Sequence, residues 1–203
     1  MYFRVIYKDE DLGTFTTLLA GRHNAANATA CIAFLHQQGF DLALVREALA
    51  LFRGTERRFD LRTVAGIRFL DDYAHHPTAV DTTLRAVRAR FPQAKILCIF
   101  QPHLVSRTEA LQDDFAACFG ACDQLILVDI FKSARENIAG ITSQQLVEKV
   151  QRFRSAIYGG TLEESYQKAL PLIHPDTIVV TMGAGDVYKI RDWYAKAHGE
   201  VAQ

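Results

Sequence analysis

No stretch of this sequence approaches the roughly 20 apolar residues of a membrane-spanning helix. The amino terminus, Met1-Tyr-Phe-Arg-Val-Ile-Tyr-Lys8, alternates like a strand and has no basic-then-apolar leader, so neither membrane insertion nor export is expected. Charge of one sign is missing as well. The 23 Lys and Arg residues face 23 Asp and Glu, so no long-range field draws in nucleic acid or acidic lipid, and any bound anion must be held by local groups. Cysteine is sparse: Cys31, Cys98, Cys118 and Cys122 form no C-x-x-C pair and no cysteine/histidine cluster with zinc spacing. All four sit inside apolar runs, which leads us to expect buried, reduced thiols and a cytosolic setting. Neither the phosphate-binding loop G-x-x-x-x-G-K-S/T nor the full dinucleotide fingerprint G-x-G-x-x-G occurs anywhere. Internal repeats and low-complexity segments are absent too.

What is present describes an ordinary globular chain. With 49% hydrophobic and 23% charged side chains over 203 residues, it can bury one substantial core or two unequal ones. Residues 1–20 alternate like a two-strand ribbon turning at Lys8-Asp-Glu-Asp11, and a ribbon this short cannot stand alone. Alanines and apolar residues from Asn24 to His36 fit a helix that Gly39 ends. Asp41 can cap a second helix running to about Phe52, and the segment from Gly54 to Asp60 breaks the periodicity. These first 60 residues are too few and too irregular for an independent domain and read as the tail of something larger.

After Asp60 the pattern becomes regular. Strand-like runs at Ile67–Leu70, Ile96–Phe100, Leu125–Asp129, Ser155–Tyr158 and Thr177–Met182 alternate with amphipathic stretches at about 78–90, 108–119, 143–153, 162–170 and 186–197. Such alternation predicts an α/β fold with a mainly parallel sheet and right-handed crossovers. Sheets of this kind bind ligands in the crevice at the carboxyl ends of their strands, so the residues after each strand carry the functional interest.

Three polar clusters follow strand ends or helix starts: Gly21-Arg-His-Asn-Ala-Ala-Asn27, Asp71-Asp-Tyr-Ala-His-His-Pro77 and Gln101-Pro-His-Leu-Val-Ser-Arg-Thr108. In the second, two carboxylates, a phenol and two imidazoles precede a proline suited to a first helical turn. For Asp71, Asp72, His75 and His76 two readings stand side by side, a ligand site or plain capping and solvation at a helix start. In the third cluster, the residues leaving the Ile96–Phe100 strand lead into a helix whose free N–H groups favour an anion, and Arg107 adds a planar fork suited to carboxylate or phosphate. A surface arginine near a helix end is the alternative. Gly183-Ala-Gly185 reads as turn geometry, since a lone G-x-G carries little, and Thr161-Leu-Glu-Glu-Ser165 reads as a helix start with acidic first-turn residues.

The order and spacing of these clusters, with Arg57-Arg-Phe59 between the first and second and Met182-Gly-Ala-Gly-Asp186 last, resemble the Mur ligases over nearly the whole chain. Asp-Tyr-Ala-His-His-Pro with Gln-Pro-His-x-x-Ser-Arg-Thr is similar to the branch acting on UDP-N-acetylmuramic acid. The resemblance implies a Rossmann-like carboxy-terminal Mur ligase domain over residues 61–203, preceded at 1–60 by the end of a central ATPase domain. It implies an ADP-forming ligase of peptidoglycan synthesis that uses ATP and Mg²⁺ to join UDP-N-acetylmuramate to L-alanine through an acyl phosphate. By the same resemblance His23 and Asn27 match adenine contacts, Arg58 matches an arginine on the nucleotide, and Asp72 matches an acid that can accept from ribose hydroxyls. Tyr73, His75, His103 and Arg107 match positions facing the muramyl and amino-acid side, with Arg107 on the amino acid's carboxylate, a proximity role.

Two departures stand out. The family pattern reads Gln-Pro-His-Arg-Tyr-Ser-Arg-Thr, whereas this chain has Leu104 and Val105 in the middle, which removes one cationic donor. The missing phosphate-binding loop is the larger departure, because phosphoryl transfer is nearly all positioning and charge neutralisation. The expectation is therefore a chain inactive alone, with the loop and most magnesium ligands supplied from elsewhere, a separate chain included. Alternatives are a ligase of recycled cell-wall peptide, for which Leu104 and Val105 leave a roomier pocket, and a non-catalytic interaction module. A stand-alone oxidoreductase lacks its glycine fingerprint and correctly placed ribose-binding acid.

Overall fold

A computed structural model describes residues 1–19, 21–131 and 139–199, so Ala20 at the end of the expected ribbon lies outside the described residues. The chain divides into two compact units, Met1–Glu56 and Arg57–Gln203. No described helix is long and apolar enough to cross a membrane.

The first unit is a ribbon and two helices. Strands β1 (Tyr2–Tyr7) and β2 (Glu10–Thr16) pair antiparallel. Their two-residue turn, Lys8-Asp9, has φ of 47° and 67°, the pair of left-handed residues whose twist matches the flanking strands. Helix α1 (Arg22–Gln37) and helix α2 (Leu42–Leu51) follow, and Asp41 caps α2 by accepting the Ala43 N–H at 2.8 Å. The core here is Val5, Leu12, Phe15 and Ile32. Helix α1 fully buries only Ile32 and α2 buries no residue fully, so large apolar side chains such as Tyr2, Ile6, Phe34, Leu44 and Phe52 remain exposed. Cys31 corrects the expectation of four buried thiols. It lies on the uncovered side of α1 and is exposed, whereas Cys98, Cys118 and Cys122 are buried.

The second unit holds a six-stranded sheet. Its elements run β3 (Asp60–Val64), β4 (Ile67–Asp72), α3 (Pro77–Arg90), β5 (Lys95–Phe100), α4 (Val105–Ala110), α5 (Gln112–Ala117) and β6 (Gln124–Val128). They continue with α6 (Ser143–Val150), β7 (Ile157–Gly160), α7 (Leu162–Ala169), β8 (Thr177–Met182) and α8 (Lys189–Ala197). Strand order is β3-β4-β8-β5-β6-β7, parallel throughout except that β3 runs antiparallel to β4. The return of β8 to a place between β4 and β5 creates the switch point at which such sheets leave a crevice.

The mainly parallel α/β fold read from the sequence is therefore the fold observed, with three differences. Strand β3 has no counterpart in the sequence reading, because Asp-Leu-Arg-Thr-Val is an edge strand of mixed polarity, returned by a left-handed Ala65-Gly66 turn. The single helix expected at 108–119 is two six-residue helices broken at Leu111. Unit two begins at Arg57 rather than after Asp60, because residues 57–59 hydrogen-bond to the ends of β4 and β8.

Parallel strands covered on both faces read as continuous apolar runs, and each residue's parity decides its face. Ile96, Cys98 and Phe100 of β5 point with Ile178, Val180 and Met182 of β8 into a core closed by α3, α5 and α6. Leu97, Ile99 and Val179 point into the opposite core, closed by α7 and α8. Helices α6 and α7 open with full capping boxes, Thr142 with Gln145 and Thr161 with Glu164.

Phe100 is fully buried, with ring centroids of Phe115 and Phe119 at 5.6 and 5.3 Å. Phe100→Ala should lower unfolding free energy by about 3–5 kcal/mol in urea denaturation. A loss under about 1 kcal/mol would show that this core is not packed as described.

Candidate functional site at the carboxyl edge of the sheet

Strand β4 ends in two buried carboxylates. Asp71 is 1% exposed and accepts from the Thr181 hydroxyl at 2.8 Å and from Arg57 Nε at 3.0 Å. Asp72 is 7% exposed; its Oδ1 accepts the Ala74 N–H at 2.8 Å and its Oδ2 the Phe59 N–H at 2.9 Å. Neither carboxylate is the solvated surface group that one of the two sequence readings allowed. His76 does follow the plain capping reading. Its Nδ1 accepts the Thr78 N–H at the start of α3, and Pro77 fills the first helical turn.

A run of planar groups extends from this strand end toward the residues that follow β5 and β6. The Arg58 guanidinium lies 5.4 Å from the Tyr73 ring centre, Tyr73 meets His75 edge-on at 5.2 Å, and His75 lies 6.2 Å from His103. His103 in turn stacks on Phe131 at 5.5 Å and 12°. His75 Nδ1 donates to the Tyr73 carbonyl at 2.8 Å; a carbonyl only accepts, so in the neutral ring the lone pair sits on Nε2. Phe131, which the sequence reading did not single out, had no signal beyond its place just past a strand.

Beyond β5, Gln101 Nε2 donates to Asp186 at 3.2 Å, while the buried Gln101 Oε1 and the buried Arg107 Nη1 have no hydrogen-bond partner among the described residues. A buried guanidinium nitrogen left without an acceptor is costly, which makes Arg107 the group here most in need of an anion. A helix does follow β5, as expected, but α4 is only six residues long, and Arg107 lies within it. Leu104 takes φ of 71°, and Val105 is buried where Gly140 approaches, a Cβ there falling 2.6 Å from Val105 Cγ1.

The Gly183-Ala-Gly185 turn follows its plain reading. A Cβ on Gly183 would lie 2.4 Å from the Gln101 carbonyl oxygen, and one on Gly185 would lie 2.2 Å from Gln101 Oε1. These glycines admit Gln101. Arg57, absent from the expected site, donates to the carbonyls of both.

The structure thus gathers Arg58, Asp72, Tyr73, His75 and His103 at the ends of β4 and β5 and places Arg107 on the helix after β5. His23 and Asn27 belong to the first unit, exposed and one turn apart on α1, with the His23 ring folded against Gly21. No group of three or more metal-ligating side chains lies together among the described residues.

Residues 57–185 match the family model described as Mur ligase, glutamate ligase domain. The chain is 40% identical over 200 residues to the UDP-N-acetylmuramate–L-alanine ligase of Leuconostoc mesenteroides, covering 98% of this chain and 44% of that protein. Among solved structures, the UDP-N-acetylmuramate–alanine ligase of Thermotoga maritima superposes with a TM-score of 0.75 at 26% identity, over 92% of this chain and 40% of that one. A murein peptide ligase of Psychrobacter arcticus shares the fold, with a TM-score of 0.72 at 22% identity, over 100% of this chain and 42% of that one. The chain therefore spans less than half the length of the curated relatives it matches. The second unit is a Rossmann-like carboxy-terminal ligase domain. This chain belongs to the Mur ligase family.

Gly185→Ala should destabilise by about 1–3 kcal/mol, since the new methyl meets both Gln101 and Phe131; an unchanged thermal midpoint would contradict the close approach. Burial pushes the Asp72 carboxyl above the usual 3.8, against the pull of the Ala74 and Phe59 amides and of Arg58. A raised value means that the folded protein keeps a proton the unfolded chain has released, so this contribution is complete below 3.8 and is lost as pH rises through the folded value. Relative to Asp72→Asn, the unaltered protein should gain stability as pH falls from about 7 toward 4; a difference flat with pH would refute the burial.

Proposed function

We propose that this chain is the carboxy-terminal part of an ATP-dependent ligase that joins L-alanine to UDP-N-acetylmuramate in peptidoglycan synthesis. The observation that carries the reading is the convergence of Arg58, Asp72, Tyr73, His75 and His103 on one edge of the sheet, with a buried, unpartnered Arg107 nitrogen after β5. Similarity to L-alanine ligases along the whole chain supports the choice of substrates.

In this reading ATP phosphorylates the lactyl carboxylate, and the amine of L-alanine then displaces phosphate from the acyl phosphate. His23 and Asn27 contact the adenine. Arg58 suits the nucleotide because its exposed guanidinium makes no hydrogen bond to the described residues, and Asp72 retains a lone pair on each oxygen for a ribose hydroxyl. Arg107 binds the amino acid's carboxylate, and Tyr73, His75 and His103 line the muramyl side. The phosphate-binding loop and most Mg²⁺ ligands come from the complementary part of the ligase, which a separate chain can supply. The first unit fits such a complement, since the exposed large apolar residues of the described chain are concentrated there. The ligase works in the cytoplasm.

A second reading, ligation of a recycled cell-wall peptide, is favoured by one feature: Leu104 and Val105 stand where the family pattern has arginine and tyrosine, which suits a larger amine substrate.

Phosphate and UDP-muramyl-alanine release by the purified chain with ATP, Mg²⁺, UDP-N-acetylmuramate and L-alanine is the direct test. No product is expected from the chain alone, and product is expected once a chain carrying the amino-terminal part of a relative is added. Turnover by the chain alone would overturn the split, and silence after complementation would favour a non-catalytic module. Preference for the peptide would support the second reading. In the complemented enzyme Arg107→Ala should raise KM for the amine substrate by about 10- to 100-fold, the worth of one charge-assisted contact, and an unchanged KM would remove Arg107 from that role.

A further inference from the structure

Two adjacent arginines enter the carboxyl edge of the sheet and do opposite things. Arg58 is exposed; its guanidinium lies over the face of Tyr73 and pulls electrostatically on Asp72, but its side chain makes no hydrogen bond to the described residues. The Arg57 side chain is 21% exposed and its fork is committed. Nε donates to Asp71 Oδ2 at 3.0 Å, Nη1 to the Gly185 carbonyl at 2.9 Å and Nη2 to the Gly183 carbonyl at 2.6 Å. The guanidinium plane also lies 5.1 Å from the Tyr73 ring centre and 4.8 Å from that of Tyr188. Its main-chain carbonyl accepts the Tyr73 N–H at 2.7 Å.

Those contacts join three stretches of chain that are remote in sequence: the entry at residue 57, the end of β4, and the glycine turn after β8 with the start of α8. The backbone of Arg57 sits at φ of 59°, a conformation that non-glycine residues hold only where the surroundings outweigh its strain. Lysine carries the same charge but has no planar fork, so it cannot meet a carboxylate and two carbonyls together while stacking on a ring.

We infer that Arg57 is a positioning residue of the candidate site. It fixes Tyr73, and through the Tyr73 carbonyl the His75 ring, against the Gly183–Gly185 turn, and by taking Asp71 Oδ2 and the two turn carbonyls it leaves the Arg58 fork to face a ligand. The clamp stands on the hydrogen bonds alone; its consequence for nucleotide rests on the reading of Arg58 proposed above.

The test uses the full chain labelled with ¹⁵N, unaltered and as Arg57→Gln, Arg57→Lys and Arg58→Gln, first without ligand. Both Arg57 variants are expected to shift the amide signals of Tyr73, Gly183 and Gly185 and to speed their hydrogen exchange by about tenfold or more, while α3 and α7 keep their protection. Arg58→Gln is expected to leave those three signals in place. Titration of the same samples with ATP should then show Arg57→Lys binding about tenfold more weakly despite its conserved charge, and Arg58→Gln weakening binding with no movement of the glycine turn. Unmoved signals in both Arg57 variants would overturn the inference. So would a uniform rise in exchange across the unit, which is what a purely structural role gives. If the unaltered chain binds no ATP, the nucleotide reading of Arg58 fails, and the ligand-free spectra still decide the clamp.

Discussion

Burial on both faces is the constraint that shapes the second unit. In β5 and β8 nearly every side chain is enclosed, those of one parity by α3, α5 and α6 and those of the other by α7 and α8. Strands filled in this way have no room for chemistry along their length. Polar groups can gather only where the strands stop, and because the strands are parallel, they stop on the same side. The carboxylates of β4, the glutamine after β5 and the glycine turn after β8 are neighbours for that reason. The antiparallel β3 adds an edge and leaves this arrangement unchanged.

That constraint also explains which parts of the fold were legible in the sequence. Ile96–Phe100 and Thr177–Met182 are runs of buried residues bounded by polar ones, and their positions could be read almost to the residue. Strand β3 could not, since an edge strand with one side open keeps aspartate, arginine and threonine and loses the apolar signature. The split at Leu111 escaped for a related reason: the buried side of both short helices continues one amphipathic pattern across the break. Cys31 was misread because apolar neighbours signal burial only where something covers them.

The candidate site was legible through its motifs, which brought His103 and Arg107 into view beside Tyr73 and His75. Arg57 was not, although it stands next to Arg58. Sequence shows two like charges in a row; only the fold shows that one meets a buried carboxylate and two carbonyls while its neighbour meets solvent and a ring. Asp71 and Asp72 carry the same lesson in reverse. Both are buried, yet one answers an arginine and a threonine hydroxyl and the other two backbone amides, so identical side chains one residue apart serve different parts of the chain.

The turn after β8 has a consequence for how this edge can change over evolutionary time. Gly183 and Gly185 lack side chains because Gln101 occupies the space, and their carbonyls are held by Arg57. Positions 57, 101, 183 and 185 therefore behave as a single locus spread over the chain. A larger residue at 185 is admissible only after Gln101 has become smaller, one at 183 meets the main chain of residue 101 whatever side chain stands there, and a smaller residue at 57 strands two carbonyls that the turn cannot satisfy alone. Single steps away from the present combination lead downhill in stability, so change at this edge should proceed through exposed neighbours such as Arg58 or the half-buried Leu104, while the four locked positions change together or not at all.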